Sequence, residues 1–152
     1  MSLTYKQGRI VVVLNGRFSG CKAVIINNKN LSIGKNSQIF ESVCLLGIQK
    51  YPSNIKKKMN KAKQIKNHKI KIFLKSMNKN HFLPTRYNID FGETNNEKIK
   101  KFVTDYFWYK KSKDEFKNKE FNYKNQFNFI KNVLLDKYLS NKNKWFFSKL
   151  NF

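Results

Sequence analysis

The first fifty residues alternate between short runs of β-branched, apolar residues and polar turns. Arg9 to Leu14 is apolar at nearly every position, which predicts a strand with both faces covered. Asn15-Gly16 follows directly and favours a tight turn, and the runs Lys22 to Ile26 and Val43 to Ile48 repeat the strand pattern. Several short strands separated by glycine-containing turns predict a small β-barrel.

The pattern changes after Pro52. Residues 55–69 read IKKKMNKAKQIKNHK, in which Ile55, Met59 and Ile65 fall roughly on one side of a helix. Two structures fit this stretch: a short basic helix, or an irregular arm that becomes ordered only on a partner. We expect a partly helical arm.

A strand, a loop and two helices are predicted beyond the arm. Lys69 to Leu74 alternates basic and apolar residues, which is typical of a half-exposed strand, and residues 78–87 contain Pro84 and are interpreted as a loop. Apolar residues then recur at helical spacing in two stretches. They are Ile99, Phe102, Val103, Tyr106 and Phe107 in the first stretch, and Phe127, Ile130, Leu134 and Tyr138 in the second.

The predicted fold is mainly β with α. Residues 1–90 form an N-terminal barrel with a basic arm inserted near 52–68, and residues 91–152 form a partly helical C-terminal extension.

The net charge of the chain is the sequence feature that most constrains its function. The chain has 32 Lys and Arg against 9 Asp and Glu, a net charge of +23 in 152 residues, and Glu41 is the one acid between Met1 and Ile89. Such a positive field attracts polyanions, so we expect nucleic acid as the partner, with an anionic membrane surface as the second candidate. Residues 51–90 carry 11 basic residues and 1 acidic residue, so this part should lie closest to the anion.

Other classes of protein find less support. The longest apolar run, Ile10 to Leu14, is far shorter than the ~20 residues of a membrane span. The N-terminus has no signal-peptide layout, and Cys21 and Cys44 are too few for a disulfide framework, which favours a soluble protein of a reducing compartment. A membrane-active helix needs a clean basic face, and the helix predicted around residues 99–109 is too mixed in charge.

Catalytic groups are scarce. His68 and His81 have no neighbouring carboxylate in sequence, and no phosphate-binding loop, nucleophile elbow or HExxH helix is present. A four-ligand zinc site would need both cysteines and both histidines to meet. We therefore expect no enzyme, no metal and no cofactor.

Two segments combine basic and aromatic side chains, as a binder of unpaired nucleotides does. The first contains His81-Phe82 and Arg86-Tyr87, and the second is Lys144 to Phe147. The aromatic residues of the second segment have an alternative role as a hydrophobic anchor for the tail. We favour the anchor for Phe146 and Phe147, and both roles remain open for Trp145.

Residues 8–26, GRIVVVLNGRFSGCKAVII, resemble a KOW motif, with a strand, a turn at Gly16, a basic loop at Gly20 and a second strand. Four later blocks resemble, in order, those of the KOW-containing large-subunit protein family number twenty-seven of eukaryotic cytosolic ribosomes. They are GIQKYPSNIKKKM (47–59), KIKIFLK (69–75), NHFLPTRYNID (80–90) and KNKWFFSKL (142–150).

The resemblance implies an SH3-like barrel in a structural component of the large ribosomal subunit, assembled via the nucleolus into the cytoplasmic ribosome. Its partners would be ribosomal RNA and neighbouring ribosomal proteins, with no membrane or small-molecule substrate. The expected RNA-binding residues are Gly16, Arg17, Gly20, Lys22, Lys56, Lys57, Lys58, Lys61, Lys63, Lys66, His81, Arg86, Tyr87, Lys142, Lys144 and Trp145. The alternative is a KOW-type regulatory module that contacts RNA or RNA polymerase.

The chain departs from that family in three places. Cys21 stands where the family usually has a basic residue, residues 28–42 match poorly, and residues 91–140 match only loosely. We therefore expect weaker phosphate contact in the loop at Cys21, and protein contacts that differ in the C-terminal part.

Overall fold

The computed structural model describes residues 5–27, 42–53, 55–111 and 123–150, with the side chains of residues 108–111 left aside. The elements are β1 (Arg9–Val13), β2 (Lys22–Asn27), β3 (Ser42–Lys50), α1 (Lys61–His68), β4 (Lys71–Asn78), β5 (Phe82–Asn88), α2 (Glu93–Lys111) and α3 (Tyr123–Leu139). Two 3₁₀ turns, Lys79–His81 and Lys144–Phe147, complete the description. Residues 28–42, which match the resembled family poorly, lie outside the described residues except for Ser42.

The strands form one antiparallel sheet in the order β4-β3-β2-β1-β5. The predicted class, β structure followed by helices, is confirmed, but the sheet is not closed into a barrel. The chain leaves β4 through the Lys79–His81 turn, and β5 pairs with the free edge of β1, so that within the described residues β4 has only β3 as a partner. The division into residues 1–90 and 91–152 stays a prediction.

Both faces of the sheet are buried, because successive residues of a strand point to opposite sides. One face carries Val11, Val13, Ala23, Ile25 and Leu45, which pack with Phe18, Phe73, Met77 and Phe82. The other face carries Ile10, Val24, Leu46 and Ile48, which pack with Ile99, Val103, Ile130, Leu134 and Phe146 of the C-terminal part. The prediction that β1 is covered on both faces is confirmed.

Gly47 provides room for an aromatic ring on the first of these faces. A Cβ atom at this position would overlap the ring of Phe73 and lie 3.0 Å from the Cβ of Ala23. The Phe73 ring in turn stacks on Phe18, with centroids 3.9 Å apart and planes 2° from parallel. The absence of a side chain at Gly47 therefore permits this stack.

We expect Gly47→Ala to lower the free energy of unfolding by about 1–3 kcal/mol, because the added methyl group overpacks the core. Urea denaturation of the variant, of Phe73→Leu and of the double variant would measure it. The smaller leucine should absorb part of the clash, so the two changes should cost less together than their sum. Strictly additive losses would contradict the steric cause.

The interpretation of residues 78–87 as a loop was wrong, because the structure places β5 there. Pro84 has no N–H to donate, and an edge strand tolerates it since one side of the strand needs no ladder partner. Pro84 lies opposite Val11, and the neighbouring Thr85 Oγ1 donates to the carbonyl oxygen of Ile10 at 2.7 Å. The Thr85 side chain thus adds a hydrogen bond between β5 and β1.

Within the arm predicted near residues 52–68, we call residues 55–68 the basic arm, and this part contains the helix α1 that the sequence predicted in part. α1 buries none of its side chains, and Ile65 is 64% exposed. The apolar side that the spacing of Ile55, Met59 and Ile65 suggested is therefore not packed into the core at Ile65.

The apolar residues of both predicted helical stretches lie in helices, although α2 begins six residues before Ile99 and α3 four residues before Phe127. After α3 the chain turns through two residues with left-handed backbone, Asn141 and Asn143, at φ 56° and 57°. The turn brings Phe146 and Phe147 into the main core, at 0% and 4% exposure. They act as the hydrophobic anchor that we favoured. Within the described ranges, no helix is both long enough and apolar enough to span a membrane.

Candidate nucleic-acid interface

The basic arm presents its charge to solvent. All six predicted lysines of this segment are exposed: Lys56, Lys57, Lys58, Lys61, Lys63 and Lys66. The sequence contains no Asp or Glu between residues 42 and 89, so no carboxylate of the same stretch competes for these ammonium groups. Exposed, uncompensated lysines can neutralise phosphates and release their counterions.

A second basic group lies at the turn between β1 and β2. Gly16 and Gly20 have left-handed backbone, at φ 86° and 76°, which only glycine adopts readily. Phe18 is buried and anchors the turn, while Arg17 is exposed with its guanidinium carbon 4.8 Å from the centroid of the Phe18 ring. The buried Phe18 therefore fixes the turn and keeps Arg17 at the surface.

Lys75 belongs to the same group, and sequence reasoning missed it. Its Nζ lies 5.8 Å from the Phe18 ring centroid and borders Gly16, where an added Cβ would be 3.3 Å from that nitrogen. Lys75 sits on β4, so only the pairing of the strands brings it to the turn. The signal in the sequence was the alternation of basic and apolar residues that begins at Lys69.

His81 lies beside this turn. Its side chain is exposed, and its carbonyl oxygen accepts the amide of Leu14 at 2.9 Å. The predicted residues Gly16, Arg17 and His81 are thus brought, with Lys75, to one corner of the sheet, hereafter called the β1–β2 corner.

Lys22, predicted as a phosphate contact, is instead enclosed by the protein. The residue is 1% exposed, and its Nζ donates to the carbonyl oxygen of Trp145 and, at 2.8 and 3.1 Å, to the carbonyl oxygen and Oγ of Ser148. The same nitrogen lies 3.9 Å from the centroid of the Trp145 ring. In this fold the ammonium group holds the C-terminal turn and does not face solvent.

Burial also shifts the acid–base chemistry around Lys22. It lowers the pKa of the Lys22 ammonium from its ordinary 10.5 to about 8, because desolvation disfavours the charged form. The backbone amide of Lys22 donates to the Tyr51 hydroxyl at 2.7 Å, and burial raises the pKa of Tyr51 to about 12.

These shifts predict a pH dependence of stability. Between about pH 8 and 10.5 the unfolded chain holds the Lys22 proton more tightly than the folded chain, so this group makes the free energy of unfolding rise with pH. The stability of the wild type relative to Lys22→Met should therefore increase between pH 7 and pH 9.5. Tyr51 stays protonated in both states over most of this range. A difference that is flat or falls with pH would contradict the shift.

Tyr87 and Trp145 come from the two separate basic and aromatic segments and meet in the structure. Their ring centroids are 4.9 Å apart, with the planes inclined by 35°. Asn143 Nδ2 donates to the carbonyl oxygen of Asn88 at 3.0 Å, which fastens the C-terminal turn to the end of β5. Hereafter Tyr87 and Trp145 are called the aromatic pair.

Cationic side chains accompany the aromatic pair. Arg86 Nη2 donates to the Tyr87 hydroxyl at 3.3 Å, and this hydrogen bond raises the pKa of Arg86. Lys142 and Lys144 are exposed on the same C-terminal turn as Trp145. Apart from the buried Lys22, the predicted candidates thus fall into three groups: the basic arm, the β1–β2 corner and the aromatic pair with its cations.

Comparison with known proteins gives a consistent result. A model described as the Ribosomal L27e protein family matches residues 10–152. The chain is similar to "Large ribosomal subunit protein eL27" of Pyrobotrys stellatus, with 34% identity over 147 residues, 97% of this chain and 96% of that protein. It is also similar to "Large ribosomal subunit protein eL27B" of Saccharomyces cerevisiae, with 36% identity over 153 residues and full coverage of both chains.

Proposed function

Because the chain belongs to the Ribosomal L27e protein family, we propose that it is a structural component of the large subunit of the cytosolic ribosome. In this role it binds ribosomal RNA, contacts neighbouring ribosomal proteins, and reaches the subunit through nucleolar assembly. The role is structural rather than enzymatic and uses no metal, cofactor or small-molecule substrate.

The observation that carries the RNA-binding part is the exposed charge of the basic arm. A chain with net charge +23 and no acid between residues 42 and 89 has too few carboxylates to neutralise that surface. RNA phosphates neutralise it, and the release of their counterions contributes most of the sequence-independent affinity.

The β1–β2 corner fixes the position of the chain on the RNA. Arg17 supplies a planar guanidinium that can bind a phosphate with two hydrogen bonds, and Lys75 adds a point charge beside it. The left-handed glycines of the turn carry no side chain that would keep a sugar–phosphate chain at a distance. Lys22 supports the fold beneath the surface and takes no part in phosphate contact.

The ribosomal role is favoured over a KOW-type regulatory module. The family match and both relatives extend through the C-terminal helices and the final 3₁₀ turn as well as the strands. A resemblance confined to the KOW motif would have supported the ribosomal role and the regulatory module equally well.

Sedimentation of the tagged, full-length chain from cell lysate through a sucrose gradient tests the proposal. We expect co-migration with large subunits, whole ribosomes and polysomes at low salt and again after a high-salt wash. Release by the wash, or migration with transcription complexes, would favour the regulatory module instead. A tagged basic protein that is unrelated to the ribosome controls for adhesion to polyanions.

A further inference from the structure

Tyr87 is exposed to an unusual degree for an aromatic residue of this protein. Among the described Phe, Tyr and Trp side chains, only Tyr87 and Phe129 are exposed, at 41% and 37%, and the others are half-buried or buried. Most of the other described aromatic rings pack within or against the two hydrophobic clusters. The free surface of Tyr87 therefore needs an explanation that core packing does not supply.

Tyr87 is supported from within by a rigid set of contacts. Trp145 lies against it at 4.9 Å between centroids, and Trp145 is itself held by the buried Lys22 ammonium at 3.9 Å. The hydrogen bond from Asn143 to the carbonyl oxygen of Asn88 closes the arrangement at the end of β5. A ring that is already fixed loses little conformational entropy when a second ring stacks on it.

The charge around Tyr87 selects for an anionic ligand. The guanidinium carbon of Arg86 lies 5.2 Å from the Tyr87 ring centroid, and Lys144 is exposed next to Trp145 in sequence. The nearest acid along the chain, Asp90, already accepts hydrogen bonds from the Gly92 amide at 2.9 Å and Asn96 Nδ2 at 3.1 Å. These contacts lower the pKa of Asp90, whose carboxylate is thus engaged at the start of α2.

The geometry points to a single unpaired nucleotide of RNA as the ligand of Tyr87. Its base stacks on the exposed ring, its phosphate lies within reach of Arg86, and Trp145 acts as a positioning residue. Stacking on a tyrosine face accepts every base, so the site distinguishes unpaired from paired nucleotides and does not read sequence. This inference rests on the proposed RNA-binding function and adds to it a specific ligand.

Phe129 offers a matched control. It is almost as exposed as Tyr87 and also has a cation nearby, since Lys98 Nζ lies 5.8 Å from its centroid. It differs in lying on α3, in a cleft that it lines together with Lys98, Lys101 and the carboxylate of Asp105. Loss of Phe129 removes a similarly exposed aromatic ring and leaves the aromatic pair intact.

The test uses the full chain and two fluorescent single-stranded RNA probes, a uridine hexamer and an abasic hexamer with the same phosphates. Fluorescence anisotropy measures both affinities at several salt concentrations. We expect the wild type to bind the probe with bases about 5- to 150-fold more tightly than the abasic probe, which corresponds to about 1–3 kcal/mol for one stacked base. Tyr87→Phe and Phe129→Ala should keep this advantage, and Tyr87→Ala should abolish it.

Trp145 is tested by rescue. Trp145→Ala should reduce the advantage of the probe with bases, and Trp145→Phe should restore most of it, because a ring again supports Tyr87. Circular dichroism establishes that each variant is folded. A wild type without the advantage, or a Tyr87→Ala variant that retains it, would overturn the inference.

Failure of this inference differs from failure of the proposed function. If only the stacking site is wrong, both probes still bind with the same steep salt dependence, and either their affinities are equal or the difference between them persists in Tyr87→Ala. If the RNA-binding function is wrong, neither probe binds in a salt-dependent way and the tagged chain does not sediment with large subunits.

Discussion

Replacing Phe146 by alanine should lower the free energy of unfolding by about 3–5 kcal/mol. Phe146 is 0% exposed and belongs to the cluster that joins the sheet to the C-terminal helices. Its ring lies edge-on to Phe147, with centroids 5.2 Å apart and planes at 78°. Deleting it removes buried apolar surface and leaves a cavity where the tail meets the sheet.

This loss is large compared with the total stability of a domain, which is typically about 5–15 kcal/mol. Urea denaturation of the wild type and of Phe146→Ala would measure the loss. Phe129→Ala is the control, because Phe129 is 37% exposed, and we expect its loss to be well below that of Phe146→Ala. A loss below about 1 kcal/mol for Phe146→Ala, typical of surface positions, would mean that the tail does not pack as described.

The second large effect is on RNA binding. Changing Lys56, Lys57 and Lys58 together to glutamine should weaken binding and reduce the salt dependence by about two to three units in the slope of log K against log salt. Each lysine that neutralises a phosphate contributes about 0.7–0.9 to that slope. The three side chains are exposed and precede α1, so the fold should be unaffected.

A charge-matched variant separates a local interface from net charge alone. Lys98, Lys101 and Lys124 are also exposed, but they lie on α2 and α3, away from the basic arm in sequence. Changing these three to glutamine removes the same charge and should alter the slope much less. Equal slopes for the two triple variants, measured by filter binding to large-subunit RNA between 50 and 200 mM salt, would contradict a localised interface.

The strands and helices could be predicted because their apolar residues carry the period of the element. β1 and β2 are short runs rich in β-branched residues, β3 contains an apolar run from Val43 to Ile48, and α2 and α3 present apolar residues three and four positions apart. β5 was missed because Pro84 argues against a strand in any local analysis. Whether a strand lies at an edge, where proline is tolerated, depends on the order of the sheet.

The sequence predicted some residues of the candidate site and missed others, again because local patterns do not reveal which distant residues meet in the fold. Charge and composition identify the basic arm, because exposure follows from a run of lysines with few apolar residues. They cannot identify a buried lysine such as Lys22, whose partners Trp145 and Ser148 lie far away in sequence. For the same reason Lys75 at the β1–β2 corner and the contact between Tyr87 and Trp145 became visible only in the folded chain.

A cryo-electron microscopy map of large ribosomal subunits purified with the tagged chain would show which surface of the chain binds the RNA. We expect the basic arm, Arg17 and Lys75 to lie within hydrogen-bonding distance of RNA phosphates, with the sheet and the C-terminal turn folded as described. A map in which the arm faces solvent or only protein, while the chain is bound through another surface, would contradict it.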